Sequence, residues 1–434
     1  MEWAAAASCW ASLAAAGARW LRVAQREHYL PGSASRFAAR WWLGIRGNLL
    51  LLVAGGVATG LSWPFPLVGL GPAAIGAGAP VGLSVRGRTS ALRWTRRLRT
   101  LGGVWLALEA GLVLLGDAVG RIVFLSALGV LLAPVLVDLA CVLTLPLEDW
   151  LGSRHVSRAA ARLRSVRPKV VAITGSYGKT TTKNYVAHLL EGSFSVVASP
   201  ASFNNRAGLA RAVNEQLVQG TEVFVAEMGT YGPGEIAELC SWCPPDISVI
   251  TAIGPVHLER FGSEDAILRA KSEIVAGARI VVLNADDARL ATLADELAGR
   301  QSAPRVIRCS SRDVTCDVYV GGRDQYEVAF AGARLEAGLS LDPGVQPTNL
   351  ACALGVAWAL GVPPQALAPR LTDLPSVPHR LSVGKAASGV IVIDDTFNSN
   401  PAGTRAALDV LRKVAKSDRR AVVTPGMVEL GPRQ

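Results

Sequence analysis

Lys169-Val170-Val171-Ala172-Ile173-Thr174-Gly175-Ser176-Tyr177-Gly178-Lys179-Thr180-Thr181 is the stretch on which the fold turns. Its first half is a short β-branched run of the kind buried on both faces of a sheet. Its second half is a glycine-rich turn leading into an Ala/Leu-bearing helical stretch that reaches Leu190. A turn between strand and helix aims backbone N–H groups at phosphate, and the helix start adds the positive end of its dipole. In that reading Gly175, Ser176, Tyr177, Gly178 and Thr181 form the cradle, Lys179 reaches the terminal phosphates and the Thr180 hydroxyl ligands Mg2+. The spacing departs from the strict phosphate loop, which has glycine five residues before Gly178, where this chain has Ile173.

The same texture continues downstream. Val223–Ala226 runs into Glu227, Ile247–Ile253 runs into Gly254-Pro255-Val256-His257, and Ile280–Leu283 runs into Asn284-Ala285-Asp286-Asp287. Strands alternating with helical stretches predict an α/β domain with a parallel sheet. Ligands gather at the carboxyl ends of such strands, so Glu227, His257 and Asn284 are expected on the edge that carries the phosphate loop.

The front of the chain is of another kind. Half of the 434 residues are hydrophobic, only 18% are charged and mean hydropathy is +0.32. Residues 1–168 carry 18 Lys+Arg against 7 Asp+Glu, and the rest carries 26 against 27; nine of the eleven Trp precede residue 151. The basic excess therefore belongs to the apolar front, and no nucleic-acid surface is expected on the neutral back. Residues 47–85 hold no charge, and a single span needs about 20 apolar residues. The reading is a membrane domain over 1–150 with four helices near 48–64, 66–85, 101–120 and 122–147. Arginine clusters before the first span, between the second and third and after the fourth place both ends in the cytoplasm, giving a multi-pass inner-membrane protein in contact with the lipid bilayer. Residues 3–17 read as a surface helix or an extra buried segment. Glu109 and Asp138 bear two readings, functional intramembrane carboxylates or groups that lie near a span end or bond to a neighbouring helix. A basic linker is expected over 151–167. The seven scattered Cys suggest reduced thiols, and Cys240 and Cys243 find no second close pair with which to form a zinc ribbon.

Several segments occur together in a fixed order. They are Thr174–Thr181, Ser202-Phe203-Asn204-Asn205, Ala226-Glu227-Met228-Gly229, Gly254–Leu258, Ala270-Lys271-Ser272-Glu273-Ile274, Leu283–Asp287, Pro378-His379-Arg380-Leu381 and Asp394–Pro401. With these, residues 168–434 resemble the Mur ligase family, and within it the branch that adds D-alanyl-D-alanine to a muramoyl tripeptide. The resemblance implies a central ATP-binding domain over 168–375 and a Rossmann-like closing domain from 376. It implies an ATP-dependent carbon–nitrogen ligase of peptidoglycan precursor synthesis, acting through an acyl phosphate on a peptidyl-muramoyl carboxylate and an amino-acid or dipeptide amine. Two Mg2+ are implied, Thr180 and Glu227 holding one and His257 helping to hold the other. Lys271 matches the lysine that is carbamoylated in the family and joins the metal site. Lys179, His257 and Lys271 are the catalytic set, and Asn204 and Asn205 fall on substrate. For ATP, Arg380 matches a phosphate contact, Asp395 a ribose contact, Asn398 an adenine neighbour, and Asn349 the asparagine of the helix joining the domains.

Two departures stand out. The family's N-terminal substrate-recognising domain gives way to the apolar front, from which a lipid-linked or membrane-proximal acceptor is expected. The closing domain shows one strand at Gly389–Ile393, a helix started by Asn400-Pro401 and a further parallel strand expected at Ala421–Thr424, so it reads as incomplete and its lid over ATP as weakly supported. The other functions in view are a different Mur-like ligase, of polyglutamate or cyanophycin type, and a non-catalytic membrane scaffold that binds nucleotide.

Overall fold

The computed structural model describes residues 2–83, 92–200, 203–256, 258–322, 325–330, 333–342, 344–396, 400–414, 419–424 and 426–427. Two compact units meet between Gly152 and Ser153. The first is helical: α1 (Glu2–Arg26), α2 (Ser33–Gly44), α3 (Arg46–Leu61), α4 (Leu70–Gly78), α5 (Arg96–Ala118) and the first part of α6 (Ile122–Val166). Its core is built from Cys9, Leu13, Ala16, Trp20, Leu98, Leu101, Trp105, Val130 and Val137. Small residues let these helices close on one another, since a side chain at Gly17 would overlap the Trp105 indole.

This unit corrects the expected span count. Among the described residues, only α5 and α6 are long and apolar enough to cross a membrane; α2 and α3 pass that test only as a pair bent by 108°. The stretch expected as a second span is broken, because Pro66–Gly69 is a 3-10 turn and α4 ends after nine residues. Residues 3–17 belong to α1, whose inner face is buried. Arg19, read from sequence as a marker of the inner side, is 3% exposed. Its guanidinium donates to the carbonyls of Gly76 (3.2 Å), Ala77 (3.0 Å), Ala79 (2.6 Å) and Leu83 (3.0 Å), taking up acceptors left where α4 ends. Asp138 accepts the backbone N–H of Ala34 (3.1 Å) and Ser35 (2.8 Å) at the start of α2, which is the bonded reading of that carboxylate.

Residues 151–166, expected as a basic linker, are helical and form the end of α6. After α6 come β1 (Lys169–Thr174), α7 (Lys179–Leu190), β2 (Val196–Ala198), α8 (Arg206–Gln216), β3 (Val223–Glu227), α9 (Glu235–Trp242), β4 (Ile247–Ile250), α10 (Leu258–Phe261), α11 (Glu264–Ser272), β5 (Ile280–Asn284) and α12 (Ala288–Ala298). Next come β6 (Arg305–Ser310), β7 (Val318–Gly322), β8 (Tyr326–Phe330), β9 (Ala333–Leu339), α13 (Pro347–Ala359) and α14 (Pro364–Leu367), then β10 (Ser382–Lys385), β11 (Ile391–Asp394) and α15 (Pro401–Val414). One nine-stranded sheet has the order β2-β3-β1-β4-β5-β6-β7-β8-β9, parallel through β7 and closed by two antiparallel strands.

Both faces of the sheet are covered, which explains strands without polar alternation. Val171, Ile173, Val225 and Val249 pack towards α7 and α13 with Leu189, Leu350 and Val356. Val170, Ala172, Phe224 and Ile250 pack to the other side with Leu209, Ile236 and Leu290, joined by Ala159 and Leu163 from the end of α6. The chain leaves β1 towards β3 on one side and returns as β4 on the other, so the carboxyl ends of these three strands open a crevice.

Beyond α14 the described residues do not form the expected Rossmann-like closing domain. β10 and β11 pair antiparallel, and residues 421–424 form no strand, with Val423 96% exposed. Asn400 does start α15, its side chain accepting the N–H of Gly403 at 2.8 Å.

Arg19→Met removes the only side chain that, among the described residues, reaches the carbonyls of Gly76, Ala77, Ala79 and Leu83. It is expected to lower the stability of the helical unit by about 3 kcal/mol, read as an earlier urea midpoint, because bonds to a charged donor are among the stronger ones.

Candidate nucleotide site at the strand tips

The site is built on register. Ile173 of β1 lies opposite Glu227 of β3, so the carboxylate at the end of β3 stands beside the point where the loop leaves β1. The loop itself is fastened from β4: the Thr251 hydroxyl bonds the carbonyl of Tyr177, and the Ser176 hydroxyl donates to the Gly254 carbonyl (3.1 Å) while accepting the Gly254 N–H (3.0 Å). Gly178 precedes α7 with φ of 80°, a left-handed conformation that glycine adopts without strain, and any Cβ there would overlap the Asn349 carboxamide. Asn349, expected beside nucleotide, thus packs directly under the loop.

Glu227 is the electrostatic centre. It is 1% exposed. Thr180 donates to its Oε2 at 2.9 Å, Asn204 donates to its Oε1 at 3.0 Å, and the Lys183 Nζ lies 3.4 Å from Oε2. Burial alone would raise this carboxyl, but Lys179 and Lys183, with the bonds from Asn204 and Thr180, bring it below the usual carboxylate range. The Ser199 hydroxyl accepts the backbone N–H of Glu227 at 3.1 Å. Lys179 curls back so that its Nζ donates to the Gly175 carbonyl at 2.7 Å, and burial lowers its ammonium against the opposing pull of Glu227.

A cleft of about 360 Å3 opens above these groups. Of the residues expected from sequence, Ser176, Tyr177, Gly178, Lys179, Thr181, Asn204, Glu227, Lys271, Asn284, Asn349, Arg380 and Asp395 line it. Thr180 sits just beneath, its hydroxyl turned to Glu227. Asn284 holds the strand tips together, donating to the Thr251 carbonyl (2.8 Å) and accepting the Asp286 N–H (3.0 Å). Asp395 accepts the Leu381 N–H at 3.1 Å, and burial raises its carboxyl while Arg380 opposes this. Asn205 has a different role from the expected one: it is exposed, and its side chain caps α8 by accepting the Gly208 N–H at 2.9 Å. His257 and Asn398 lie outside the described residues.

Lys271, on α11, is 3% exposed. Burial, and then the charge of Lys179, hold its amine well below the ordinary lysine value. No hydrogen bond or ion pair to its amine appears among the described residues. Lys183 was missed from the sequence, although its place one helical turn after Lys179 puts it on the same face of α7. Thr230, Tyr231, Gln346 and Thr348 were also missed, and they line the cleft from the β3–α9 loop and the start of α13. Cys240 and Cys243 are free thiols, and among the described residues no group of metal-ligating side chains forms round them.

A glycine loop between β1 and α7, a lysine and a threonine opening that helix, and a carboxylate at the next strand tip form the kind of arrangement that suits nucleotide phosphate. Residues 173–357 match the Mur ligase middle domain. The UDP-N-acetylmuramoyl-tripeptide–D-alanyl-D-alanine ligase of Mycobacterium tuberculosis is 37% identical over 294 residues, 64% of this chain and 56% of that enzyme. Its counterpart in Bacillus subtilis is 28% identical over 63% of this chain and 59% of its own length. Among solved structures, MurF of Acinetobacter baumannii aligns with a TM-score of 0.54 at 26% identity, covering 60% of this chain and 58% of that one. MurF of Thermotoga maritima in complex with ADP gives 0.53 at 26% identity, covering 65% of each. The chain therefore spans little more than half the length of these curated relatives.

The comparisons overturn the expected multi-pass inner-membrane location and its bilayer contact, because the relatives matched are D-alanyl-D-alanine-adding ligases, which give the membrane reading no support. The arginine pattern that suggested the location includes Arg19, which serves as a buried clamp instead.

A buried amine with a lowered pKa has a stability signature. Between its folded value and the unfolded value near 10.5 the unfolded chain binds more protons, so stability rises with pH through that window. Lys271→Met is therefore expected to raise the urea midpoint at pH 7 in CO2-free buffer. The gain should shrink steadily as pH approaches 10.5; a gain independent of pH would mean that the ammonium is compensated in the fold.

Proposed function

We propose that the chain is an ATP-dependent carbon–nitrogen ligase of the D-alanyl-D-alanine-adding type, acting on a peptidyl-muramoyl carboxylate in peptidoglycan precursor synthesis. The observation that carries the proposal is the group of Lys179, Thr180 and Glu227 gathered at the tips of β1 and β3 under the phosphate loop. The 37% identity to a relative of that name supports the substrates. In the reaction a carboxylate oxygen attacks the γ-phosphorus of ATP, ADP leaves, and the amine nitrogen then displaces phosphate from the acyl phosphate to form the amide. Such chemistry asks the protein for positioning and neutralisation of charge, not for a nucleophile.

The residues fit Mg2+. One buried carboxylate and a hydroxyl are hard oxygen donors, and Mg2+ is commonly held by one or two carboxylates together with substrate phosphates. Glu227 and Thr180 would hold the ion, which would neutralise phosphate charge when bound. Lys179 steadies the terminal phosphates, and Arg380, which also lines the cleft, adds a second cation for them. In this proposal Asp395 takes a ribose hydroxyl, and His257 and Asn398 carry the family's remaining metal and adenine roles. Asn204 both orients Glu227 and lines the cleft, and in this proposal it meets the acceptor.

Lys271 is proposed to be carbamoylated. Only a neutral amine adds to CO2, and burial favours the neutral form. The product carbamate supplies an anion beside Lys179, which the unmodified amine cannot.

The full chain should consume ATP only when UDP-muramoyl-tripeptide and D-alanyl-D-alanine are both present, measured as phosphate release with the joined peptide identified by mass. Lys179→Ala should reduce turnover on the order of 100-fold or more, the scale for losing one preorganised electrostatic group. Stripping CO2 should slow the unsubstituted chain reversibly. Turnover that is indifferent to both substrates would overturn the assignment.

A further inference from the structure

We infer that Lys183 is a built-in counter-ion for Glu227, holding the carboxylate until a metal–nucleotide complex arrives, so that the site takes its divalent cation together with the nucleotide and not ahead of it. The inference rests on the ligase reading only for the identity of the nucleotide. Lys183 comes one turn of α7 after Lys179 and faces the tip of β3. Its Nζ and the Glu227 Oε2 are 3.4 Å apart, with side chains 3% and 2% exposed. A lysine this deep is rarely retained unless paired, and Glu227 is the partner shown for it.

The coordination of the carboxylate gives the pair its consequence. An ionised carboxylate offers about four lone-pair directions. Thr180 and Lys183 take up Oε2, and Asn204 takes Oε1. Thr180 uses its single proton on Glu227, which leaves its lone pairs facing away. A bare dication approaching Glu227 therefore meets a carboxylate already neutralised, with the Lys179 and Lys183 ammoniums close by. A metal–triphosphate complex carries net negative charge and meets the same two ammoniums as attraction. Lys183 does not line the cleft, so it acts through Glu227 and is a positioning residue.

The test is Mn2+ binding to the full chain, followed by the paramagnetic resonance of free Mn2+, with and without a non-hydrolysable ATP analogue. The unsubstituted chain should bind Mn2+ alone at least 10-fold more weakly than with the analogue. Lys183→Met and Lys183→Gln should each bind Mn2+ alone at least 10-fold more tightly than the unsubstituted chain, and the advantage given by the analogue should shrink. Equal or weaker binding by variants that still melt cooperatively would overturn the inference. If neither variant folds, the unsubstituted chain decides: equal thermal protection by Mn2+ with and without the analogue overturns the inference, and protection that needs the analogue supports it. An analogue that never binds would defeat the ligase reading instead, while the Mn2+-only titrations of parent and variants would still judge Lys183.

Discussion

A carboxylate that is 1% exposed cannot stand alone in a protein interior, and the centre of the α/β unit is arranged round this demand. Glu227 takes bonds from Thr180 and Asn204 and lies against the Lys183 ammonium, so α7 and the segment leading into α8 are both fixed relative to one side chain. The strand register supplies the place, because β3 ends opposite the residue where β1 gives way to the loop. The loop is in turn fastened to β4 through Thr251 and Ser176, and to α13 through the contact of Gly178 with Asn349. Charge compensation at one atom pair thus propagates into the geometry of a surface that presents backbone N–H groups.

The parts legible in sequence were those with local signatures. The β-branched run before Gly175 and the glycine turn announce a strand–loop–helix unit, and strands buried on both faces show as unbroken apolar runs. Glu227 and Asn284 could be placed because each directly ends such a run. What was hidden depended on partners distant in the chain. Asn205 looks like any polar loop residue until α8 begins beside it and claims its side chain. Arg19 looks like surface charge until the end of α4 presents its carbonyls. The antiparallel pairing of β10 with β11 comes from contacts that a strand pattern alone does not encode.

The helical unit teaches the same point about composition. A long uncharged stretch was read as two spans, yet a 3-10 turn and an early helix end divide it. Hydropathy counts side chains, whereas the path of the chain is settled by where backbone groups find donors and acceptors. Arg19 and Asp138 settle it here, one collecting carbonyls and the other N–H groups.

The spacing of Lys179, Thr180 and Lys183 within α7 has an evolutionary corollary. Each residue added to or removed from a helix turns everything beyond it by about 100°. An insertion between Gly178 and Lys183 would swing the ammonium round to another side of the helix and leave the acid at the β3 tip without its neighbour. Length variation among descendants of this chain should therefore be excluded from the first turns of α7 and collect beyond Leu190, where the helix has already ended.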